Sequence, residues 1–128
     1  RVQVKPGKPF LFCHRHEPEP LYVFGLPGNP VSAFVTFLLF VRPALLRMAG
    51  AGEMDLKPAT EPVTVTETLV NDGNRPHYLR GRIEAGVFTT SGLQRSDALF
   101  ALAKANALLR LAAGEHLHPG DPALATRC

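Results

Sequence analysis

The chain has 128 residues, 45% of them apolar and 20% charged, which suffices for one ordinary domain or two small ones and excludes disorder throughout. Its 14 basic and 11 acidic residues leave a net charge of +3 with no block of like charge, which fits an anionic small molecule better than a long nucleic-acid footprint. Cys13 and Cys128 have neither zinc nor redox spacing and nothing at the start reads as a signal peptide, so a reducing cytoplasm is the expected setting.

In chain order, Val2 to Val4 reads as a strand already under way at the first residue, as if part of something larger. Lys5-Pro6-Gly7-Lys8-Pro9 follows, with two ammonium groups on a backbone whose φ is fixed at both prolines. Taken alone, this segment reads first as an ordinary turn with solvated lysines. Phe10 to Cys13 is a strand leading into the polar, proline-punctuated loop His14 to Pro20. Leu21 to Phe24 is short and apolar, and with Val2 to Val4 it reads as a buried strand of an α/β layer.

Gly25-Leu26-Pro27-Gly28-Asn29-Pro30 has the form of a turn delivering the chain into a helix. Asn29 suits the N-cap and Pro30 the first helical position. Val31, Phe34, Val35, Leu38, Val41, Leu45 and Leu46 then recur at helical spacing, and Gly50 suits the position after the C-cap. Unpaired N–H groups and the dipole at such a helix start favour a phosphate or oxyanion, with Ser32 as a further donor. The turn is not a Walker A loop, which would end in Gly-Lys-Ser/Thr. Pro43 forfeits the bond to the Leu39 carbonyl, which predicts a kink or two helices meeting there. The apolar run Val31 to Leu46 is short for a membrane span and contains Arg42 and Pro43, so a buried or half-buried helix is expected.

Periodicity disappears from Ala51 to Pro62, which marks a domain boundary. Val63 to Val70 alternates as a half-buried strand, Asn71 to Asn74 is a turn, and His77 to Ile83 is the expected partner strand. The period of two sends Leu79 and Ile83 to one face of that strand and Tyr78, Arg80 and Arg82 to the other, a shared polar face. Glu84-Ala85-Gly86 turns the chain into the strand Val87 to Thr90. Ser96 or Asp97 caps a short helix through about Lys104, Ala107 to Leu111 is a strand, and Ala123 to Ala125 is a last one. The C-terminal half thus reads as a small, mostly β, barrel-like module with one helix.

Catalytic signatures are sparse. No GxSxG, HExxH or recognisable carboxylate pair occurs. Cys13, His14 and His16 form a superficially metal-like group, and His116 and His118 another. Neither has a second Cys/His pair at zinc spacing, so surface histidines are the expectation.

Three stretches nevertheless resemble one family: Val4 to Pro9, Phe24 to Ala33, and Phe40-Val41-Arg42-Pro43-Ala44-Leu45. The match continues through Arg75 to Gly81, Gln94-Arg95-Ser96 and Ala105-Asn106. In this order they resemble the molybdopterin molybdenumtransferases, the MoeA proteins, and the related E domain of gephyrin. The resemblance implies an α/β fragment, residues 1–52, forming the C-terminal part of a molybdopterin-binding α/β domain. Residues 53–128 would be the β-barrel-like (β-clip) C-terminal domain. It implies molybdenum cofactor biosynthesis, in which molybdate is inserted into adenylylated molybdopterin with Mg²⁺ and AMP is released. The parent would be a cytoplasmic homodimer without nucleic-acid or membrane partners.

Residue by residue, the resemblance maps Lys5 and Lys8 onto the basic pair of the anion site. Pro27, Gly28, Asn29, Pro30 and Ser32 map onto the substrate-binding turn, and Arg80 and Ser96 onto the C-terminal domain's share of the cleft. The catalytic residues stay unassigned and the Mg²⁺ ligands are expected upstream, so the chain alone reads as catalytically incomplete. Arg95 stands where a small residue is expected, and Ala107 where the family usually has Gly. A gephyrin-type scaffold module and a generic phosphate- or nucleotide-binding module are the alternatives.

Overall fold

A computed structural model describes residues 10–91 and 105–128. Lys5, Lys8 and Ser96, the strand expected at Val2 to Val4 and the helix expected before Lys104 lie outside the described residues. The chain divides into two compact units, Arg1–Lys57 and Pro58–Cys128.

The first unit contains an antiparallel ribbon of β1 (Leu11–Arg15) and β2 (Leu21–Gly25), in register from Leu11 opposite Gly25 to Arg15 opposite Leu21. The hairpin is apolar on both faces: Leu11, Leu21 and Val23 lie on one, Phe12 and Tyr22 on the other, and all five are exposed. The expectation of a buried strand at Leu21 to Phe24 is corrected accordingly. A two-stranded ribbon offers two broad faces, and the described residues cover little of either; Phe10 stacks on Phe40 of the following helix at 5.1 Å.

That helix runs from Pro30 to Met48. It comprises α1 (Pro30–Thr36), a π-helical turn (Phe37–Val41) and α2 (Arg42–Met48). Where a kink or a meeting of two helices is expected, two α-helical segments meet through a π turn. The Arg42 amide bonds back to the Phe37 carbonyl, so one extra residue is taken up before Pro43, whose ring would otherwise press on the carbonyl four residues earlier. Thr36 Oγ1 donates to the Ser32 and Ala33 carbonyls at 2.8 and 3.0 Å.

The helix ends in a Schellman motif. Gly50 has φ +90°, its amide reaches the Arg47 carbonyl, and the Ala51 amide reaches Leu46. At 19 residues and mean hydropathy 1.6, the helix is long and apolar enough to cross a bilayer by length and composition, so length alone does not exclude a span. Val35, Thr36 and Val41 are buried and most of the remaining helix residues are half-buried, as expected, with the short α3 (Glu53–Leu56) following it.

The second unit is a closed barrel. Its strands are β3 (Thr60–Val65), β5 (His77–Glu84), β6 (Val87–Thr90), β7 (Ala107–Leu111) and β9 (Pro122–Arg127), in the order β3-β6-β5-β7-β9. The β3–β6 pair is parallel and the others are antiparallel. A small separate ribbon joins β4 (Leu69–Val70) to β8 (His116–Leu117). The expected hairpin between Val63–Val70 and His77–Ile83 does not form. The first segment breaks into β3 and β4, and Glu67 in the gap accepts the Thr90 amide at 3.1 Å and the Thr90 hydroxyl.

The turn after β5 is a two-residue hairpin connection, Ala85 and Gly86 at φ 51° and 75°, the geometry that matches strand twist. Inside the barrel Val63, Val65, Leu79, Ile83, Phe88, Leu109, Leu111 and Ala125 form one apolar core. Gly81 faces that core because no side chain fits there. A Cβ would lie 2.2 Å from the Phe88 ring and 2.6 Å from the Thr89 carbonyl oxygen. Asn71 ties the loops together: its Nδ2 donates to Arg75 and Ala112 carbonyls at 2.9 and 2.8 Å, and its Oδ1 accepts the Gly73 amide.

Candidate functional site

The Gly25 to Ser32 turn is set by local chemistry. Gly25 sits against β1, where an added Cβ would come within 3.1 Å of the Leu11 Cβ. Pro27 is buried, and Gly28 is exposed with open space where a side chain would be. Asn29 takes an extended conformation (φ −70°, ψ 123°), and its Oδ1 accepts the Val31 and Ser32 amides at 3.0 and 3.1 Å. Its carbonyl accepts the Ala33 amide at 2.9 Å.

This capping changes the anion site expected from sequence. Pro30 has no N–H, and the next two amides are already bonded to Asn29, so the helix start does not present the unpaired backbone donors that the sequence suggested. What the turn offers instead is side-chain chemistry. With Oδ1 turned toward the two amides, the Nδ2 of Asn29 lies on the other side of the carboxamide as a fixed pair of donors. The Ser32 hydroxyl is on the first helical turn beside it. The sequence already held the signal, since the residue that makes Asn29 a good cap is the acceptor that consumes those amides.

In the second unit Arg80 lies on β5 opposite Leu108 of β7. Alternation does point it away from the core cluster, yet its relative exposure is 0%. The expected polar face shared with Arg82 is therefore corrected: Arg82 is exposed and its Nε donates to Glu84 Oε1 at 2.7 Å, while Arg80 is enclosed. Burial pushes the Arg80 guanidinium pKa down from the ordinary arginine value, and the group remains a cation at neutral pH. The Arg80 carbonyl accepts the Ser91 amide and the Gly81 carbonyl accepts the Asn106 amide, both at 3.1 Å.

Asn106 is the residue that sequence reasoning singled out without a role. Beyond the last registered pair of β5 and β7, Gly81 opposite Ala107, its carboxamide stands in for a strand residue. The Ile83 amide donates to Asn106 Oδ1 at 2.8 Å and Asn106 Nδ2 donates to the Ile83 carbonyl at 3.3 Å.

Among the described residues no group of three or more His, Cys, Asp or Glu is arranged to hold a metal ion. The Mg²⁺ that the resemblance implies is expected to take its ligands from the upstream portion and not from these residues.

Residues 62–126 match the family model described as MoeA C-terminal region (domain IV). The chain is 38% identical over 117 residues to the molybdenum cofactor synthesis protein cinnamon of Drosophila melanogaster, which covers 88% of this chain and 19% of that protein. Over 120 residues it is 34% identical to the molybdopterin molybdenumtransferase of Nostoc sp., covering 89% of this chain and 27% of the enzyme. The crystal structure of the molybdopterin biosynthesis moeA protein from Pyrococcus horikoshii superposes on 99% of the chain with TM-score 0.79 and 25% identity, using 31% of that chain. The chain thus spans about a fifth to a quarter of the length of the curated relatives described here.

Proposed function

The chain belongs to the MoeA family, and from that membership we propose that it serves molybdenum cofactor biosynthesis as the C-terminal portion of a molybdopterin molybdenumtransferase. In this reading the parent inserts molybdate into adenylylated molybdopterin and releases AMP. Oxyanion transfer of this kind needs positioning and charge neutralisation more than a protein nucleophile. Its absence from the described residues is therefore no obstacle.

The roles follow from side-chain chemistry. Lys5 and Lys8 supply ammonium groups to phosphate or molybdate oxygens. Asn29 Nδ2 and the Ser32 hydroxyl supply neutral donors from a turn held by Pro27, Gly28 and Pro30. Ser96 and Arg80 are the contributions of the second unit. Arg80, enclosed in this structure, would supply a guanidinium cation with a fork of donors. The proposal extends to a cytoplasmic homodimeric parent and to the catalytic incompleteness of this chain by itself.

The observation that carries the reading is the 34% identity to a named molybdopterin molybdenumtransferase over 89% of the chain. Calorimetric titration with molybdopterin, molybdate and AMP tests it. Heat from molybdopterin supports the transferase reading, and heat from AMP alone would replace it with a generic nucleotide module.

A further inference from the structure

We propose that His14 and His16, at the tip of the β1–β2 hairpin, form a two-point chelate for a divalent transition-metal ion of the Ni²⁺, Cu²⁺ or Zn²⁺ class. This site is separate from the molybdopterin reading and does not depend on it.

The geometry starts from the strand period. Residues two apart on extended chain project to one face, and the His14 and His16 rings lie there with centroids 4.0 Å apart and planes tilted by 53°. Tyr22, directly opposite His14 in the ribbon, stacks on it at 4.4 Å and 14°. The His14 ring is therefore braced by Tyr22 while His16 sits beside it. Both histidines are exposed, so an ion reaches them without any rearrangement of the fold.

Two imidazoles sharing one ion at bonds of about 2.0–2.1 Å need nitrogens on the order of 3 Å apart. Rings already in contact meet that requirement through side-chain rotation alone. The other histidine pair of like spacing provides the contrast. His116 Nε2 is 2.8 Å from Asp72 Oδ1, which takes up that ring nitrogen, while Asp121 Oδ2 accepts the His118 amide at 2.8 Å and stands 3.6 Å from His118 Nδ1. Nothing among the described residues adds a third Cys, His or carboxylate to His14 and His16. Water completes the coordination and the ion exchanges readily. Imidazole nitrogen selects borderline ions over Mg²⁺, which prefers oxygen.

The test is calorimetric titration of NiCl₂ and ZnCl₂ into the whole chain carrying Cys13→Ser and Cys128→Ser, which removes thiolate competition. One equivalent should bind. His14→Ala and His16→Ala should each weaken it by roughly ten-fold or more, with unchanged circular dichroism, and the His116→Ala/His118→Ala variant should bind as the parent does. MgCl₂ should give no corresponding heat. Absence of Ni²⁺ and Zn²⁺ binding, or binding that survives His14→Ala and disappears in the His116/His118 variant, overturns the assignment.

Discussion

The Asn106 carboxamide pairs with both backbone groups of Ile83, accepting its amide at 2.8 Å and donating to its carbonyl at 3.3 Å. A side chain thereby extends the β5 ladder just before β7 begins. The Asn106 carbonyl in turn accepts the Cys128 amide at 2.8 Å, so one residue joins three segments at one end of the barrel.

Removing that carboxamide orphans a partly buried N–H and C=O. Asn106→Ala should lower stability by about 1–3 kcal/mol, read as a lower urea midpoint at unchanged m-value. Asn106→Asp keeps the acceptor for the Ile83 amide but sets a charged carboxylate oxygen against the Ile83 carbonyl, so its midpoint should also fall below the parent's.

Gly81→Ala should be more damaging. The new methyl would overlap the Phe88 ring at 2.2 Å and the Thr89 carbonyl at 2.6 Å, and backbone cannot retreat as a ring can. A loss of about 3 kcal/mol is expected from such overpacking. The added substitution Phe88→Leu should recover part of the thermal midpoint and not all of it, because the Thr89 oxygen remains.

Asn29 separates capping from binding. Asn29→Ala should cost about 1 kcal/mol through the lost cap and also weaken molybdopterin binding. Asn29→Asp preserves the acceptor for Val31 and Ser32 while replacing the Nδ2 donors with negative charge. It should therefore keep the parent's melting temperature and lose molybdopterin affinity; retained affinity in that variant would remove Asn29 from the site.

Cys128 lies at the surface, but partial desolvation raises its pKa above the ordinary thiol value. A raised pKa means less thiolate at a given pH. Iodoacetamide modification of Cys128, followed by mass spectrometry across pH 7–10, should therefore lag behind that of the same thiol in urea, and the lag should shrink as pH rises.

Much of the helix was legible because its signals are local. Asn29, Pro30 and Gly50 act on amides and carbonyls within a few residues, and the cap and the Schellman end appear where those residues stand. The π turn was not legible: Pro43 announces only that a bond is missing, and how the chain absorbs it depends on packing around Phe37 to Val41.

Strand existence was readable from alternation at β5, from the preceding turn at β6 and from apolar content at β7, but partners were not. β3 pairs with β9 and, in parallel, with β6, choices set by barrel closure rather than by nearby residues. Two-residue elements such as β8 carry too little pattern to be seen. Arg80 shows a further limit, since a period of two says which way a side chain points and not whether that side is open to water.

The most direct test of the central claim is calorimetric titration of molybdopterin into the chain and into its Lys5→Ala/Lys8→Ala variant. The transferase reading predicts binding by the parent, at least a roughly ten-fold weaker affinity in the variant from loss of two charge-assisted contacts, and the same melting temperature in both. Equal affinity in the two proteins, or binding of AMP by the parent with none of molybdopterin, would contradict it.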